Sequence, residues 1–552
     1  MLFAALPPPP PPAIVQSVAP QYDSRIRLNT VGFLPESPKQ ATVAEPSNAF
    51  SVIRLSDGAK VLSGRAAKSL KTDVTDTNEQ VQIFDFSKLT EPGQYRLEVD
   101  AVGSSAPFTI SKDVWVVPSE VVTRAMYLWR CGTSVESTWN GVTYRHTSCH
   151  MEDGWLDYVG EGHVKRPSVG GWHDAGDYNK YVVNAGVSVG LMLKAWEHFP
   201  NHVSTDKLGI AESGNGIPDL LDEIRWELEW LFTMQTETGH VYHKLSALDF
   251  KYWGPSEKDD SARYFTSWST VATADFTAMM AGAARAWRPY DAAFADRCVA
   301  AAKKSWAVLA ATPQQVDSDQ SAFKTGTYSP KDTSHRLWAA AELWETTKES
   351  EYLKEFETRA LTFGCAFTEA GPNWGDVQDL AFATYLLASQ PGPRDSKIVA
   401  RLTKSLIARA QAAVKTSQEN GYARPIGVDK KSWNWGANGN VAGQTLLLHL
   451  ADRLKPDPRY RATAHASLDF LFGRNFNGRS YVTGLGANPP AHPHDRRGEP
   501  AWPGYLIGGG WPDGRSWLDE LKSYQTNEIA INWNAALIYA LAAFAEPAAT
   551  TK

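Results

Sequence analysis

The chain has 552 residues, of which 43% are hydrophobic and 21% are charged, and its formal net charge is −6. The composition is that of a globular protein. The length exceeds what one compact core usually holds, so we predict two domains. Because the net charge is small and no apolar run approaches the roughly 20 residues that span a bilayer, we expect neither nucleic-acid nor membrane partners. We also expect a monomer.

The first residues are interpreted as a leader rather than as part of a folded domain. A short apolar stretch, Met1–Leu6, precedes six prolines, Pro7–Pro12. Such a segment is the remnant of a signal peptide, an artificial end or an extended linker. We predict that residues 1–24 form this Pro-rich leader, and we expect a secreted or periplasmic protein.

Residues 25–112 have the texture of an all-β domain. Short alternating segments, such as FSVIRLSDGAKVLSG and GQYRLEVDAVGSSAPFTI, are separated by turn residues. Their total length matches an immunoglobulin-like module, although the Cys and Trp landmarks of antibody domains are missing. The sequence therefore predicts an N-terminal immunoglobulin-like β-sandwich.

Residues 116–547 are dominated by apolar positions at helical spacing, as in IPDLLDEIRWELEWLFTMQ and NWNAALIYALAAFA. Long loops rich in Gly, Trp, Asn, Asp and His separate the helices at 165–180, 420–442 and 478–527. Long irregular segments in a compact domain usually carry function. About a dozen helices without a fixed-period repeat favour an all-α toroid over a four-helix bundle or a solenoid.

The densest polar cluster is the segment GGWHDAGDYNKYVVNAG. Asp174 and Asp177 are separated only by a small Ala-Gly pair, so a tight turn before a helix can aim both carboxylates at one water. The alternative is that an Asp at this place only caps the helix. The neighbouring rings of Trp172, His173 and Tyr178 favour a sugar site instead.

Two further clusters lie near the C-terminus. In YQTNEIAINWNAALIYAL, Glu528 directly precedes an apolar helix, where partial desolvation would raise its pKa and keep a proton available. Its alternative role is a Glu that the helix dipole favours in a first turn. In the proline-stiffened AHPHDRRGEP, His494 and Arg496 are suited to hydrogen bonds with sugar hydroxyls, or are simply part of a charged surface loop.

Inverting glycoside hydrolysis requires one carboxylic acid to protonate the leaving oxygen. It also requires one carboxylate to activate water on the opposite face, about 6.5–9.5 Å away. Glu528 and Asp177 are our candidates for these two roles. Because they are far apart in sequence, only a closed fold that joins the first and last helices places them across one cleft.

At these residues the chain resembles glycoside hydrolase family 9, and specifically the members with an N-terminal immunoglobulin-like module. The strongest stretches are GWHDAGDYNKYVVNAG, NGRSYVTGLGANPP, PHDRR and SYQTNEIAINWNAALIYAL. The resemblance implies an (α/α)6 barrel and net inversion of the anomeric configuration. It further implies these roles: Asp177 as general base, Asp174 assisting it, Glu528 as general acid, His494 and Arg496 in contact with substrate, and Asp519 as a supporting acid.

The resemblance also implies structural Zn²⁺ and Ca²⁺. Cys131, Cys149 and His150 match the family's zinc ligands, and we predict His163 as the fourth. Two thiolates and two imidazoles would make a closed tetrahedral site, which is structural rather than catalytic, so we expect the metals to lie far from the chemistry. The competing interpretation is a disulfide between Cys131 and Cys149 in an oxidising compartment.

The calcium ligands are harder to predict. The segment ESGNGIPDLLDE offers four oxygen donors, Glu212, Asn215, Asp219 and Asp222. Such carboxylate and amide oxygens are typical Ca²⁺ ligands.

The aromatic content, with 21 Trp and 20 Tyr, is the outlier of the composition. Flat rings stack on sugar faces as well as in cores. For stacking on substrate we favour Trp433 and Trp435 in KSWNWGANG, Trp268 in YFTSWST, Trp374 and Tyr524. Each of them is alternatively a core ring, and His243 in VYHK is expected to line the same cleft.

Together these features predict an inverting endo-β-1,4-glucanase that acts on cellulose or soluble β-glucans. Alternatives are an exo-acting β-glucosidase or β-glucosaminidase of the same family and a non-catalytic polysaccharide-binding protein. A polysaccharide lyase on a similar toroid is less favoured, because a lyase needs a Tyr or His base and the predicted cleft is acidic.

Overall fold

The computed structural model describes residues 22–66, 71–72, 77–389, 392–427 and 430–546. Most of the predicted leader, residues 1–21, and the last residue of the predicted helical region, 547, lie outside this part of the chain. None of the helices in it combines the length and the apolar character needed to cross a membrane.

The N-terminal region folds into short strands. In the described part of the chain these are β1 (Ile26–Arg27), β2 (Gly32–Phe33), β3 (Gln40–Val43), β4 (Ala49–Arg54), β5 (Lys60–Arg65), β6 (Lys71–Thr72), β7 (Gln80–Asp85), β8 (Gly93–Val99), β9 (Gly103–Ser104) and β10 (Phe108–Ile110). One sheet has the order β1-β3-β7-β6, and the other has the order β2-β10-β8-β4-β5, with β9 paired to β8.

The two sheets enclose a core built by the alternation of the strands. In β8, Tyr95, Leu97 and Val99 are buried while the residues between them are not. Successive side chains of a strand point to opposite faces, so this pattern leaves one face for the core. Phe33 meets Phe86 and Phe108 there in edge-to-face contacts with ring centroids 5.5 Å apart. The predicted immunoglobulin-like β-sandwich is confirmed.

The remainder of the described chain is helical, with two small sheets in its loops. The helices are α1 (Val116–Tyr127), α2 (Val182–His198), α3 (Asp219–Met234), α4 (Thr270–Trp287), α5 (Ala292–Ala311), α6 (Thr333–Thr347), α7 (Ser350–Thr362), α8 (Gln378–Leu386), α9 (Ser396–Glu419), α10 (Ala437–Leu454), α11 (Pro458–Leu471), α12 (Tyr524–Asn527) and α13 (Ile531–Ala542). The strands are β11 (Val135–Trp139), β12 (Val142–His146), β13 (Lys180–Tyr181), β14 (Lys244–Ser246) and β15 (Tyr264–Phe265). β11 and β12 form a hairpin, and β13, β14 and β15 form one sheet.

The long helices form two concentric rings. The inner helices α2, α4 and α6 pack in succession, α8 follows α6, and α10 packs on α13, which closes against α2. Nearly every residue of α4 is buried, whereas α9, in the outer ring, buries one stripe that includes Ile398, Leu402 and Leu406. A helix that is buried all round belongs to the interior, and a helix with one apolar stripe covers it. The predicted (α/α)6 barrel is confirmed.

The sandwich and the barrel are joined by buried polar contacts. The last strand of the sandwich ends at Ile110 and α1 begins at Val116. The predicted domain boundaries in this segment stay a prediction. Asn29 is buried, and its Nδ2 donates to Oδ1 of Asp469 at 2.9 Å. The Thr42 hydroxyl donates to the carbonyl oxygen of Gly421 at 2.8 Å. Such bonds fix the orientation of the sandwich on the barrel.

We expect Asn29→Ala to lower the free energy of unfolding by about 1–3 kcal/mol, because it leaves the buried Asp469 carboxylate without this donor. It also removes the acceptor for the backbone N–H groups of Val31 and Gly32. Asn201→Ala, at an exposed position, is the matched control and should change stability by less than about 0.5 kcal/mol. Denaturant unfolding measures both, and equal values for the two variants would contradict a bracing role for the contact.

Candidate active site

Asp177 lies in the turn that precedes β13 and α2. Its Oδ2 accepts hydrogen bonds from Nδ2 of Asn179 at 2.5 Å, from the backbone N of Asn179 at 3.3 Å and from the Tyr181 hydroxyl at 3.3 Å. These three donors orient the Asp177 carboxyl group. The N-cap of α2 is Tyr181, without a side-chain cap. The alternative that Asp177 merely caps this helix is therefore wrong.

Asp174 is more deeply enclosed than Asp177. Its Oδ1 accepts from Nδ2 of Asn184 at 2.7 Å, and its Oδ2 accepts from the Tyr328 hydroxyl at 2.8 Å. Burial, reinforced by the neighbouring charge of Asp177, raises the pKa of Asp174 to about 8. At neutral pH the protonated form of Asp174 is thus favoured beside Asp177.

Glu528 stands between α12 and α13, and it is half-buried. Burial raises the pKa of its carboxyl group well above the ordinary value, and the charges of Asp177 and Asp174 act in the same direction. Arg496 and a hydrogen bond from Nε1 of Trp435, at 3.1 Å, oppose this shift in part. A Glu that keeps its proton near neutral pH has the property of a general acid.

Backbone hydrogen bonds join the three loops that carry these groups. The N of Ile531 donates to the carbonyl oxygen of Asp174 at 3.0 Å, and Ala175 forms a β-bridge with Ala530. The N of His494 donates to the carbonyl oxygen of Asn527 at 2.8 Å. Asp177 and Glu528 therefore belong to one site, although they lie at opposite ends of the helical region.

His494 and Arg496 lie at the junction of these loops. Nη1 of Arg496 donates to the carbonyl oxygen of Gly176 at 2.7 Å, and its guanidinium lies over the rings of Phe250 and Trp253. Nδ1 of His494 donates to the carbonyl oxygen of Leu521 at 2.7 Å. The structure brings both residues to the site, and their contact with substrate stays a prediction.

Three of the predicted stacking rings are accessible beside the carboxyl groups. Trp435 and Tyr524 are each 47% exposed and Trp374 is 39% exposed, which is unusual for rings of this size. The rings of Trp435 and Tyr524 lie 5.5 Å apart, and Trp374 meets the Tyr328 ring at 5.2 Å. Trp374 and Trp435 also line a cavity of about 280 Å³. These surfaces are available to the faces of a bound sugar.

The structure corrects two of the predicted cleft residues. Trp433 is 2% exposed and packs under the guanidinium of Arg424, 3.8 Å from the ring centre, so it is a core ring. His243 is buried, and its ring nitrogens already pair with the Ser269 hydroxyl at 2.8 Å and the Thr327 carbonyl oxygen at 2.7 Å. Neither side chain can contact a sugar, since both are enclosed by protein.

The other two predicted cleft residues have local partners. Asp519 accepts from Nη2 of Arg479 at 2.7 Å and from the N of His492 at 2.9 Å, so it stabilises the turn that leads to His494. The role of Asp519 as a supporting acid near the substrate stays a prediction. Trp268 is half-buried with its edge against His240, and its role in stacking stays a prediction.

Several site residues escaped the sequence analysis. Tyr181 bonds Asp177 from four positions away, a spacing that marked it as a possible partner. Tyr328 bonds Asp174 from the loop before α6, and no local pattern could reveal that contact. Trp253 is 47% exposed with its ring 5.2 Å from His494, and its position in the Pro- and Gly-containing segment KYWGPS was the available signal.

Four side chains of the types that bind metals lie next to the turn that carries Asp174 and Asp177. The ligand atoms of Cys131, Cys149, His150 and His173 all lie within 4.8 Å of one another. Sγ of Cys131 is 3.6 Å from Nδ1 of His150, and Sγ of Cys149 is 3.6 Å from Nε2 of His173. Both cysteines are free thiols, so they form no disulfide with each other. Two sulfur and two nitrogen donors around one point suit a tetrahedral ion.

The prediction that His163 completes this group is wrong. His163 is exposed, stacks on Trp155 at 4.1 Å and bonds to Oδ1 of Asp157 at 2.8 Å. His173, which we predicted as a cleft residue, takes the fourth place because the turn before Asp174 folds back onto the cysteines. A metal there would not be remote from the chemistry, since its ligand directly precedes Asp174.

The four predicted calcium ligands gather near the start of α3. Glu212 pairs with Arg130 at 2.9 Å, and Asn215 donates to Oδ2 of Asp222 at 2.9 Å. Burial, with the nearby acids, raises the pKa of Asp222 to about 6. Oδ1 of Asp219 and Oε2 of Glu212 are buried without a hydrogen-bond partner. Calcium at this cluster stays a prediction.

Family comparisons cover both parts of the chain. The model described as glycosyl hydrolase family 9 matches residues 120–541, and the one described as a cellulase N-terminal Ig-like domain matches residues 21–104. The chain is similar to endoglucanase D of Acetivibrio thermocellus, with 48% identity over 533 residues, which cover 95% of this chain and 84% of that protein.

Solved structures agree with these matches. A metagenome-derived glycoside hydrolase family 9 endoglucanase superposes with a TM-score of 0.88 and 34% identity, covering 95% of this chain and 99% of that chain. A zinc-binding triple mutant of the family 9 endoglucanase J30 superposes with a TM-score of 0.86 and 30% identity, covering 93% and 99%.

We expect Gly176→Ala to lower the kcat for hydrolysis of a soluble β-1,4-glucan by about 100-fold, because displaced catalytic groups lose alignment. A Cβ at this position would collide with the carbonyl oxygen of His494 and push the two loops apart. Gly443→Ala in α10 is the matched control, since its Cβ would meet no atom closer than 3.7 Å. Thermal unfolding would verify that both variants fold, and equal kcat values would contradict the close approach of these loops.

Proposed function

Because the chain belongs to glycosyl hydrolase family 9, we propose that it is an inverting endo-β-1,4-glucanase that hydrolyses internal bonds of cellulose or soluble β-glucans. The observation that carries this proposal is that Asp177, whose Oδ2 is held by hydrogen-bond donors, shares one site with Glu528, whose pKa is raised by burial. Fold alone would not carry it, because one fold supports many activities.

In the proposed reaction Glu528 gives its proton to the glycosidic oxygen as the bond to the anomeric carbon breaks. Asp177 takes a proton from the water that attacks that carbon from the opposite face. Asp174, bonded by Tyr328, helps to orient this water. Glu528 is left as a carboxylate, which the nearby Arg496 stabilises, and proton exchange with solvent restores both groups.

The exposed rings support a glucan substrate. Trp435, Tyr524 and Trp374 offer accessible apolar faces next to the carboxyl groups, as binding of an extended sugar chain requires. With all three acids in one site, a non-catalytic binding protein is not favoured, and nothing in the site favours an exo-acting enzyme. Because an insoluble polymer cannot enter a cell, we also propose that the enzyme is secreted or periplasmic.

We propose in addition that Cys131, Cys149, His150 and His173 hold a structural Zn²⁺. A closed Cys₂His₂ ion supplies cross-linking rather than Lewis-acid chemistry, because no coordination position is open. A zinc-binding triple mutant of a family 9 endoglucanase is among the structural neighbours, and the donor set of this chain carries the proposal. A structural Ca²⁺ at Glu212, Asn215, Asp219 and Asp222 is proposed on the donor set alone.

We expect digestion of cellohexaose to release a mixture of short oligosaccharides whose new reducing ends first appear as the α-anomer, as seen by NMR. Asp177→Asn and Glu528→Gln should each lower kcat by about 10²–10⁴-fold, because each removes a proton-transfer group. Both should bind cellohexaose nearly as tightly as the wild type.

Glu520→Gln is the matched control, since Glu520 is exposed and outside the site, and it should keep full activity. Products with retained β configuration would rule out the inverting mechanism. Release of glucose alone would rule out endo action.

We expect His173→Ala to lose bound zinc, to melt at a lower temperature and to have a lower kcat, because its ligand bond positions the turn before Asp174. His163→Ala should behave like the wild type in all three measurements. Metal analysis of the purified variants, thermal unfolding and turnover provide the readouts. Zinc retained by the His173 variant but lost from the His163 variant would overturn this ligand set.

A further inference from the structure

Lys244, at the start of β14, is a buried cation with an unusual environment. Its side chain is completely buried, and Nζ donates to the Thr325 hydroxyl at 3.0 Å and to the carbonyl oxygen of Gly326 at 2.7 Å. Within the ranges that the structure describes, no carboxylate lies within ion-pair distance of this ammonium group. Lysine is almost never fully buried unless it is paired, so its position requires a reason.

Two short chains of hydrogen bonds connect this region to Asp177. Lys244 lies opposite Tyr181 in the β13–β14 ladder. The N of Gly326 donates to the Tyr181 hydroxyl at 3.2 Å, and that hydroxyl donates to Oδ2 of Asp177 at 3.3 Å. Beyond the end of β14, the N of Ala247 donates to Oδ1 of Asn179, the residue whose Nδ2 bonds Asp177. Gly326, which Lys244 binds, thus supports Tyr181, and Ala247, which follows β14, supports Asn179.

The loop that Lys244 binds also carries the partner of Asp174. Tyr328, two residues after Gly326, reaches Oδ2 of Asp174 with a left-handed backbone, φ +42°. Such a backbone persists at a non-glycine residue only where the surroundings hold it in place. Lys244 at Thr325 and Gly326, together with His243 at Thr327, provide that support.

The charges around Asp177 give the lysine a second role. The other titratable groups that face this part of the site are Asp174 and Glu528, the tyrosines 181 and 328, and His494. Among the described residues two cations act on these carboxyl groups, Arg496 on Glu528 and Lys244 on Asp177. Burial lowers the pKa of Lys244 to about 7, although the charge of Asp177 raises it in part. In acid solution, where a base risks protonation, the lysine is charged.

We propose that Lys244 is a positioning residue for the general base: it fastens the Thr325–Tyr328 loop and places a buried positive charge near Asp177. This inference rests on the proposed function, because it takes Asp177 as the base. The lysine touches neither substrate nor the reacting atoms. It acts through Tyr181 and Asn179, which bond Asp177, and through the electrostatic effect of its charge.

The test is the pH–rate profile of Lys244→Met on cellohexaose. Loss of the cation disfavours the ionised base, so the acidic limb of kcat should move to higher pH by about one unit. At the optimum, kcat should fall by about tenfold while KM stays within about threefold, as for a group that acts on the chemical step. Thermal unfolding verifies that the variant folds.

Three variants separate charge from packing. Lys244→Arg keeps the charge and should restore the acidic limb. Thr325→Val removes one hydrogen bond without removing charge and should leave the limb in place. Lys324→Met removes an exposed charge from the same loop and should match the wild type. If Lys244→Met does not fold, Lys244→Gln, which can still donate to Gly326, measures the loss of charge.

An acidic limb that stays in place in the folded Met or Gln variant would overturn the proposal, as would a limb that Lys244→Arg fails to restore. Failure of the proposed function gives a different result. In that case the wild type itself would release no new reducing ends from cellohexaose at any pH.

Discussion

The closure of the helical barrel is the interaction on which the active site depends. The last inner helix, α13, packs against the first, α2, and the N of Ile531 bonds the carbonyl oxygen of Asp174 at 3.0 Å. Ile531 follows Glu528 by three residues, and Asp174 precedes Asp177 by three. This single backbone bond therefore relates the acid to the base, and any slip between the two helices would separate them.

The barrel also determines the electrostatics of the site, because several loops contribute the groups that surround its carboxyl groups. Inner helices begin after loops that contribute residues to this face, such as Tyr328 before α6 and Trp435 before α10. Their N-terminal ends carry partial positive charge, which favours carboxylates within the first turn. Burial pushes in the opposite direction and raises the pKa of Asp174 and Glu528. At these two carboxyl groups the effect of burial is the larger.

Much of the site was accessible to local reasoning, and the errors share one cause. Asp174, Asp177 and Glu528 stood out because each precedes a helix in a polar segment, and the structure brings all three together. We predicted a zinc site with His163 as the fourth ligand, but the side chain that lies with Cys131, Cys149 and His150 is His173. Trp435 faces the cleft while Trp433, two residues away, is buried. In both cases the backbone path of the loop decides which side chain reaches the site, and the spacing of residues in the sequence does not specify that path.

The sequence by itself determined the class of the protein: hydrophobic periodicity separates a β-sandwich from a ring of helices, and polar loops before helices mark the acids. These signals are local, since they arise from neighbours along the chain. Only the tertiary structure decided which side chains meet, such as Tyr328 with Asp174, Lys244 with the loop of Gly326, and His173 with two cysteines. Those contacts join segments that are distant along the chain, and close packing and burial select them once the barrel has closed.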